Sequence, residues 1–252
     1  MEINKETKLI LSISDSPGSF ETIFHNYLYR KFEQNYIYKS CLCKDVVIGV
    51  KAIKALSLFG MSVSVPFKKK ATHLIEELSE EVQRFKSLNT IINKNGKLIG
   101  YNTDVYALEK IIEINRLEAN TILILGSGAI AEMCNIFFLG KIVHLKARNN
   151  AQKDYLDDMY GNDKKLLKEC DLVINTTPKS LEDLYEDLSE LKSYKHVIDY
   201  PVRSNQTIYV NEKIISGFEL TKYQAKKQYE LYTGSTLSDK DLDEAISFCR
   251  KI

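Results

Sequence analysis

TILILGSGAIAEMCN, residues 121–135, is an apolar run that turns abruptly into glycines and then into a helix-forming segment. Gly126-Ser127-Gly128-Ala129-Ile130-Ala131 follows the strand–Gly-x-Gly-x-x-Gly pattern, with Ala131 in the third glycine's place. The first glycine permits a tight turn. The second lets a pyrophosphate approach the backbone, where a helix N-terminus offers free N–H groups and the positive end of its dipole. The strand before and the helix after supply the context such a loop needs. A tight strand–helix turn without ligand is the plainer alternative. About twenty residues on, where an acidic residue would hold a ribose hydroxyl, the strand IVHLK runs into Ala147-Arg148-Asn149. The planar fork of Arg148 suits a 2′-phosphate, and Lys146 and Lys153 lie nearby, so NADP is expected over NAD. An ordinary surface arginine is the competing reading.

Outward from this loop, strands and helices alternate. KLILSIS (8–14) reads as a strand and 19–35 as a helix capped by Ser19. YIYKSCLC (36–43) reads as a strand, 45–60 as a helix capped by Asp45 and ended by Gly60, and MSVSV (61–65) as a third strand. Residues 71–87 read as a charged helix, and 89–104 as a hairpin about Asn95-Gly96. After 121–125, further strands are expected at 142–146, 171–175, 195–200 and 213–217. Two helices close the chain, the last capped by Ser238 or Asp239. The fold class is α/β. One α/β domain of residues 1–103 is joined by C-terminal helices of residues 219–252, and residues 104–218 form a Rossmann-type dinucleotide-binding domain.

Composition narrows the function. With 252 residues, 44% of them hydrophobic, and a net charge of +1, this is an ordinary globular chain with no field that calls for nucleic acid. It has no apolar run of membrane-spanning length, and MEINKETKLI has no apolar signal region, so no membrane partner and a cytoplasmic location are expected. The five cysteines form no CxxC and read as reduced thiols. No His/Cys/Asp cluster has metal spacing, so no metal is expected. His25, on a helix face, reads as structural.

VSVPFK (63–68) poses a separate question, since a strand ending at Pro66 delivers Lys68, Lys69 and Lys70 at its tip. Taken alone, solvated lysines are the plainer reading. Five segments together, however, resemble the shikimate dehydrogenase family. They are VSVPFK, SLNTIINKNGKLIGYNTD (87–104), ILILGSGAIAE, DLVINTTP (171–178) and GFELTKYQAKKQYELYTG (217–234), in order over nearly the whole chain. The resemblance implies an NADP-dependent oxidoreductase that reduces 3-dehydroshikimate to shikimate, or acts on a close ring-hydroxy acid, in aromatic amino acid and chorismate biosynthesis. It implies Lys68 and Asp104 as the catalytic pair, with Ser19, Ser64, Asn89 and Gln224 binding the substrate. Gly126, Gly128, Ala129, Arg148, Asn175, Thr177 and Gly217 would hold the cofactor. A small-molecule partner and a monomer or homodimer are expected.

The resemblance breaks at a few places. Counting back from His25-Asn26, the family's second carboxylate-binding serine has become Glu21, and its asparagine before Ser64 has become Ser62. Val202 stands where a tyrosine is expected and Glu219 where a glycine is expected. Ser14-Asp15-Ser16-Pro17 spells the serine motif but sits five residues early. An acid at Glu21 repels a carboxylate unless it turns away or is paired. Two alternatives follow. One is a nucleotide-binding protein with little catalysis. The other is a dehydrogenase of a different polyol, such as quinate or an amino analogue.

Overall fold

The computed structural model describes residues 2–163, 169–180, 183–184, 193–202 and 214–251. The chain divides into two compact units, Met1–Ala107 with Lys222–Ile252, and Leu108–Thr221.

The first unit is built on a six-stranded sheet. β1 (Lys8–Ser14), β2 (Tyr36–Leu42), β3 (Gly60–Val63), β4 (Glu77–Leu78), β5 (Thr90–Lys94) and β6 (Lys97–Tyr101) lie in the order β2-β1-β3-β5-β6-β4. β1 is parallel to both β2 and β3, whereas β5 runs antiparallel to β3 and to β6. α1 (Phe20–Lys31) covers the edge strand β2. Asn26 bridges that edge, its amide donating to Tyr38 O at 2.7 Å and its Oδ1 accepting from Tyr38 N at 3.0 Å. α2 (Val46–Ala55) is N-capped by Asp45, whose carboxylate accepts from Val47 N at 2.8 Å. The hairpin turns at Asn95 and Gly96, with φ of 54° and 90°, as an Asn-Gly turn demands.

Several expectations need correction. α1 stops at Lys31, well before residue 35, because Glu33 takes a left-handed φ of 51° and Gln34 N returns to Tyr29 O. Ser19 occupies its N-cap position without a side-chain cap bond. α2 ends at Ala55 through a left-handed Ser57, not at Gly60. Gly60 instead opens β3, where a Cβ would come within 2.8 Å of both Ile91 O and the Tyr232 ring. β3 itself stops at Val63, not Val65. The charged helix expected over 71–87 is interrupted. α3 (Lys68–Thr72) and α4 (Glu80–Phe85) are separated by β4, which pairs with β6.

The second unit carries five parallel strands. β7 (Thr121–Leu125), β8 (Ile142–Lys146), β9 (Glu169–Asn175), β10 (Ser193–Asp199) and β11 (Ile214–Ser216) lie in the order β11-β10-β9-β7-β8. Its strands are near-continuous apolar runs because such a sheet is covered on both faces. Lys213, in the expected 213–217 run, lies outside the described residues. α6 (Ala129–Phe137) follows β7, and α7 (Asn150–Tyr160) follows β8 with Asn149 as its cap. α5 (Thr103–Ile114) and α8 (Gly217–Thr233) carry the chain between the units, and α9 (Asp239–Cys249) is capped by Ser238. α5 and α7 fall where the sequence assigned no element. Among the described residues no helix is long and apolar enough to cross a membrane, and no acidic, histidine and cysteine cluster could hold a metal ion.

His25 is fully buried in the first unit, stacked on Tyr38 at 4.4 Å between ring centroids and edged by Phe24 at 5.3 Å. Neither imidazole nitrogen has a hydrogen-bond partner of good geometry. Burial drives its pKa down to about 3, against a small opposing pull from Gln228. The folded chain keeps this imidazole neutral, while the unfolded chain protonates it below the ordinary histidine value of 6.5. Stability therefore falls as pH drops from the unfolded toward the folded value, by roughly 1.4 kcal/mol per pH unit for this group. Denaturant titrations between about pH 6 and 4 should show a shallower acid loss for His25→Phe than for the parent chain. Parallel curves would contradict a buried neutral His25.

Candidate active site and nucleotide cavity

In the first unit, the turn after β3 leads directly into α3, so Lys68 is fixed at a helix start rather than on a free loop. Phe67 N bonds Ser64 O at 3.0 Å, and Leu88 N reaches Lys68 O at 3.3 Å. Lys68 and Asp104 are both buried, and the ammonium lies 2.6 Å from the Asp104 carboxylate. Asp104 sits in the first turn of α5. Asn102 Oδ1 accepts there from Asp104 N at 3.0 Å and Val105 N at 3.4 Å. Asn89 braces the same turn, with Oδ1 accepting from Thr103 N at 2.9 Å and its amide donating to Thr103 Oγ1 at 2.9 Å. Asn89 is fully buried and bound to protein on both sides of its amide, so in this arrangement it positions Asp104.

Lys69 is half-buried and Lys70 exposed, in contrast to Lys68. Ser64 is half-buried and Ser19 exposed. Gln224 is half-buried in the first half of α8. One turn on, Gln228 is fully buried, and its amide donates to Ser62 Oγ at 3.1 Å and Thr90 Oγ1 at 3.0 Å. It is a site-supporting residue that sequence reasoning missed. Its signal was a glutamine on the buried stripe formed with Ala225, Tyr229 and Tyr232. Ser62 thus serves the scaffold from an interior strand of the sheet.

Glu21 neither turns out to solvent nor forms an ion pair at contact distance. Its Oε2 accepts from Tyr38 Oη at 2.9 Å and from Ser12 Oγ at 3.4 Å. Burial raises its pKa above the usual carboxylate value. The Tyr38 hydroxyl and then the Lys68 ammonium pull it back, and the Asp104 charge raises it further. Glu21 thus shares one electrostatic site with Lys68 and Asp104. Tyr38 titrates well above its usual range, chiefly through burial, and remains a donor. Ser14-Asp15-Ser16-Pro17 forms a bend after β1 in which Ser16 N bonds Ser14 Oγ at 3.0 Å.

In the second unit, a cavity of about 650 Å³ opens at the carboxyl ends of β7, β8 and β9, beside β7, where the strand order reverses. Gly126, Gly128, Arg148 and Thr177 line it, together with Lys146 and Lys179. Its described lining includes three cationic side chains and no carboxylate, which suits a polyanion. Gly126 has a φ of +116°, and a Cβ there would meet Thr176 Oγ1 at 2.3 Å. At Gly128, the N-cap of α6, a Cβ would meet nothing within 4 Å, so the helix start is open to a ligand. Ala129 opens α6 beside it. Arg148 is exposed at the cavity. Asn175 lies beneath, fully buried, donating to Asp199 Oδ1 at 2.7 Å and accepting from Thr177 N at 2.9 Å. Gly217 is not among the lining residues. It is required where α8 begins, because a Cβ would come within 2.1 Å of Tyr200 O.

A mixed α/β unit with a buried lysine–aspartate pair, and a parallel sheet with a glycine turn and a basic cavity at its switch point, place the chain among Rossmann-type two-unit proteins. A family model of the shikimate dehydrogenase substrate binding domain matches residues 12–91. The shikimate dehydrogenase-like protein of Haemophilus influenzae is 34% identical over 98% of both chains. The shikimate dehydrogenase (NADP(+)) of Pyrococcus furiosus is 29% identical over 92% of both. A solved shikimate 5-dehydrogenase-like protein superposes with a TM-score of 0.83 at 34% identity, over 99% of this chain and all of its own. The chain belongs to the shikimate dehydrogenase family.

The buried pair makes a stability prediction. Replacing Asp104 by Asn leaves the Lys68 ammonium buried without its contacting counter-charge, a change that costs about 3–5 kcal/mol in comparable cases. Urea unfolding of Asp104→Asn should show a loss in that range. A loss below about 1 kcal/mol would mean that the pair is solvated rather than buried.

Proposed function

We propose that the chain is an NADP-dependent oxidoreductase that interconverts a ring ketone and its alcohol, with 3-dehydroshikimate and shikimate, or a close ring-hydroxy compound, as the pair. The observation that carries this reading is the buried Lys68–Asp104 contact at 2.6 Å. In this reading Met1–Ala107 with Lys222–Ile252 binds the substrate, and Leu108–Thr221 binds the cofactor.

NADP supplies the hydride carrier. The chain supplies binding, orientation and the proton. Gly126 and Gly128 present the turn and the open start of α6 to the pyrophosphate, with Ala129, Thr177 and the turn held by Asn175 beside them. Arg148 takes the 2′-phosphate, and Gly217 sets the start of α8. Lys68 holds the substrate's reacting oxygen. Its ammonium gives a proton as a carbonyl becomes an alkoxide, and in the reverse direction the neutral amine accepts the hydroxyl proton. Asp104 fixes the side chain and balances its charge. Asn89 and Asn102 fix Asp104. Ser64, Ser19 and Gln224 offer polar groups to the rest of the ring. The NADP(+) designation of the Pyrococcus furiosus relative supports the choice of cofactor.

The test is the initial rate of NADP reduction with shikimate and related ring alcohols. Lys68→Ala should slow the best substrate by about 100-fold or more, the usual worth of a positioned acid–base group, with NADP binding unchanged. Equal rates in parent and variant would remove Lys68 from the chemistry. NADP binding without turnover of any ring alcohol would leave a nucleotide-binding protein in place of an enzyme. Arg148→Ala should weaken NADP by about tenfold or more while leaving NAD nearly unaffected. Equal losses for the two cofactors would contradict the 2′-phosphate assignment.

A further inference from the structure

We infer that Glu21 is the specificity-determining residue of the Lys68–Asp104 site, selecting a substrate that presents a hydrogen-bond donor, a hydroxyl or an ammonium, where a carboxylate would otherwise lie. The inference rests on the oxidoreductase reading above. Three observations carry it. First, Glu21 is anchored from the protein side alone: both Tyr38 Oη and Ser12 Oγ donate to Oε2. Oε1 has no hydrogen-bond partner among the described residues, and the side chain is only partly buried. Second, Lys68 and Asp104 both act on the Glu21 carboxylate, so a ligand that reaches Lys68 meets the field of Glu21. Third, the charges do not balance. The Lys68 ammonium is held by Asp104 at 2.6 Å, and Glu21 has no ion-pair partner at contact distance among the described residues. A ligand carboxylate would add a third negative charge to that site, with its nearest cation engaged. A hydroxyl or ammonium would instead donate to Oε1 and complete the bonding of Glu21.

Discrimination of this kind acts through the mismatched group as much as the matched one. Glu21 has no part in the redox step: the carbinol carbon loses hydride to NADP and its hydroxyl loses the proton to Lys68, as above. Its effect falls on binding, hence on KM more than on kcat.

The experiment uses three probes with the full chain: shikimate, the analogue whose carboxylate is reduced to a hydroxymethyl group, and the corresponding aminomethyl compound. Each is assayed with NADP for the parent, Glu21→Ser and Glu21→Gln. Glu21→Gln keeps the shape of the side chain and an acceptor for Tyr38 and Ser12, which guards against a folding defect in the serine variant. The parent should favour the hydroxymethyl or the aminomethyl compound over shikimate by about tenfold or more in KM, and both variants should lower the KM for shikimate by about tenfold. Preference for the aminomethyl compound identifies the donor as an ammonium, and preference for the hydroxymethyl compound identifies a hydroxyl. An unchanged shikimate KM across the three chains would overturn the assignment. If none of the chains turns over any probe, the oxidoreductase reading fails. Calorimetric binding of the same probes then decides the role of Glu21 separately, since shikimate should bind the variants about tenfold more tightly than the parent. Equal affinities would overturn it.

Discussion

A buried ammonium beside a buried carboxylate is the contact around which the turns at Lys68 and Asp104 are organised. Such a pair gains little stability over a well-packed apolar pair, yet removing one partner is costly. The surrounding residues reflect that. Lys68 is held at the start of α3 by the turn from Ser64 and by the bond from Leu88. Asp104 is held at the start of α5 by Asn102 and, through Thr103, by Asn89. Gln228 then ties α8 to the strands that carry Ser62 and Thr90.

The second unit works by a different principle. Its cavity relies on backbone and on the ends of strands, with glycines where a side chain would clash or block, and with Lys146, Arg148 and Lys179 supplying positive charge. Such a site recognises phosphate through open N–H groups and the local field. The two units thus differ in construction, one built around specific buried side chains and the other around loop geometry.

Much of the fold was legible because its signals are local. The apolar strand before Gly126, the Asn95-Gly96 turn and the caps at Asp45 and Ser238 each follow from a few adjacent residues. The failures were non-local. Gly60 reads as a helix stop, but its neighbours Ile91 and Tyr232 are distant in sequence. The break between α3 and α4 depends on β4 finding β6. The Lys68–Asp104 pair spans 36 residues, so spacing alone could not reveal it, and only resemblance to a family did. Glu21 was visible as a departure from that family, while its partners Tyr38 and Ser12, on two other elements, were not. Gln228 was hidden because a glutamine on an apolar stripe gives no hint of its partners.

The most direct test of the account is a double-mutant cycle on turnover, with Lys68→Ala, Asp104→Ala and both together, assayed with NADP and the best ring alcohol. Groups that act as one unit lose their effect together. The account predicts that the double variant is about as slow as Lys68→Ala alone. Losses that multiply, with each residue contributing its full factor in the absence of the other, would contradict the claim that Lys68 and Asp104 handle the proton as a pair.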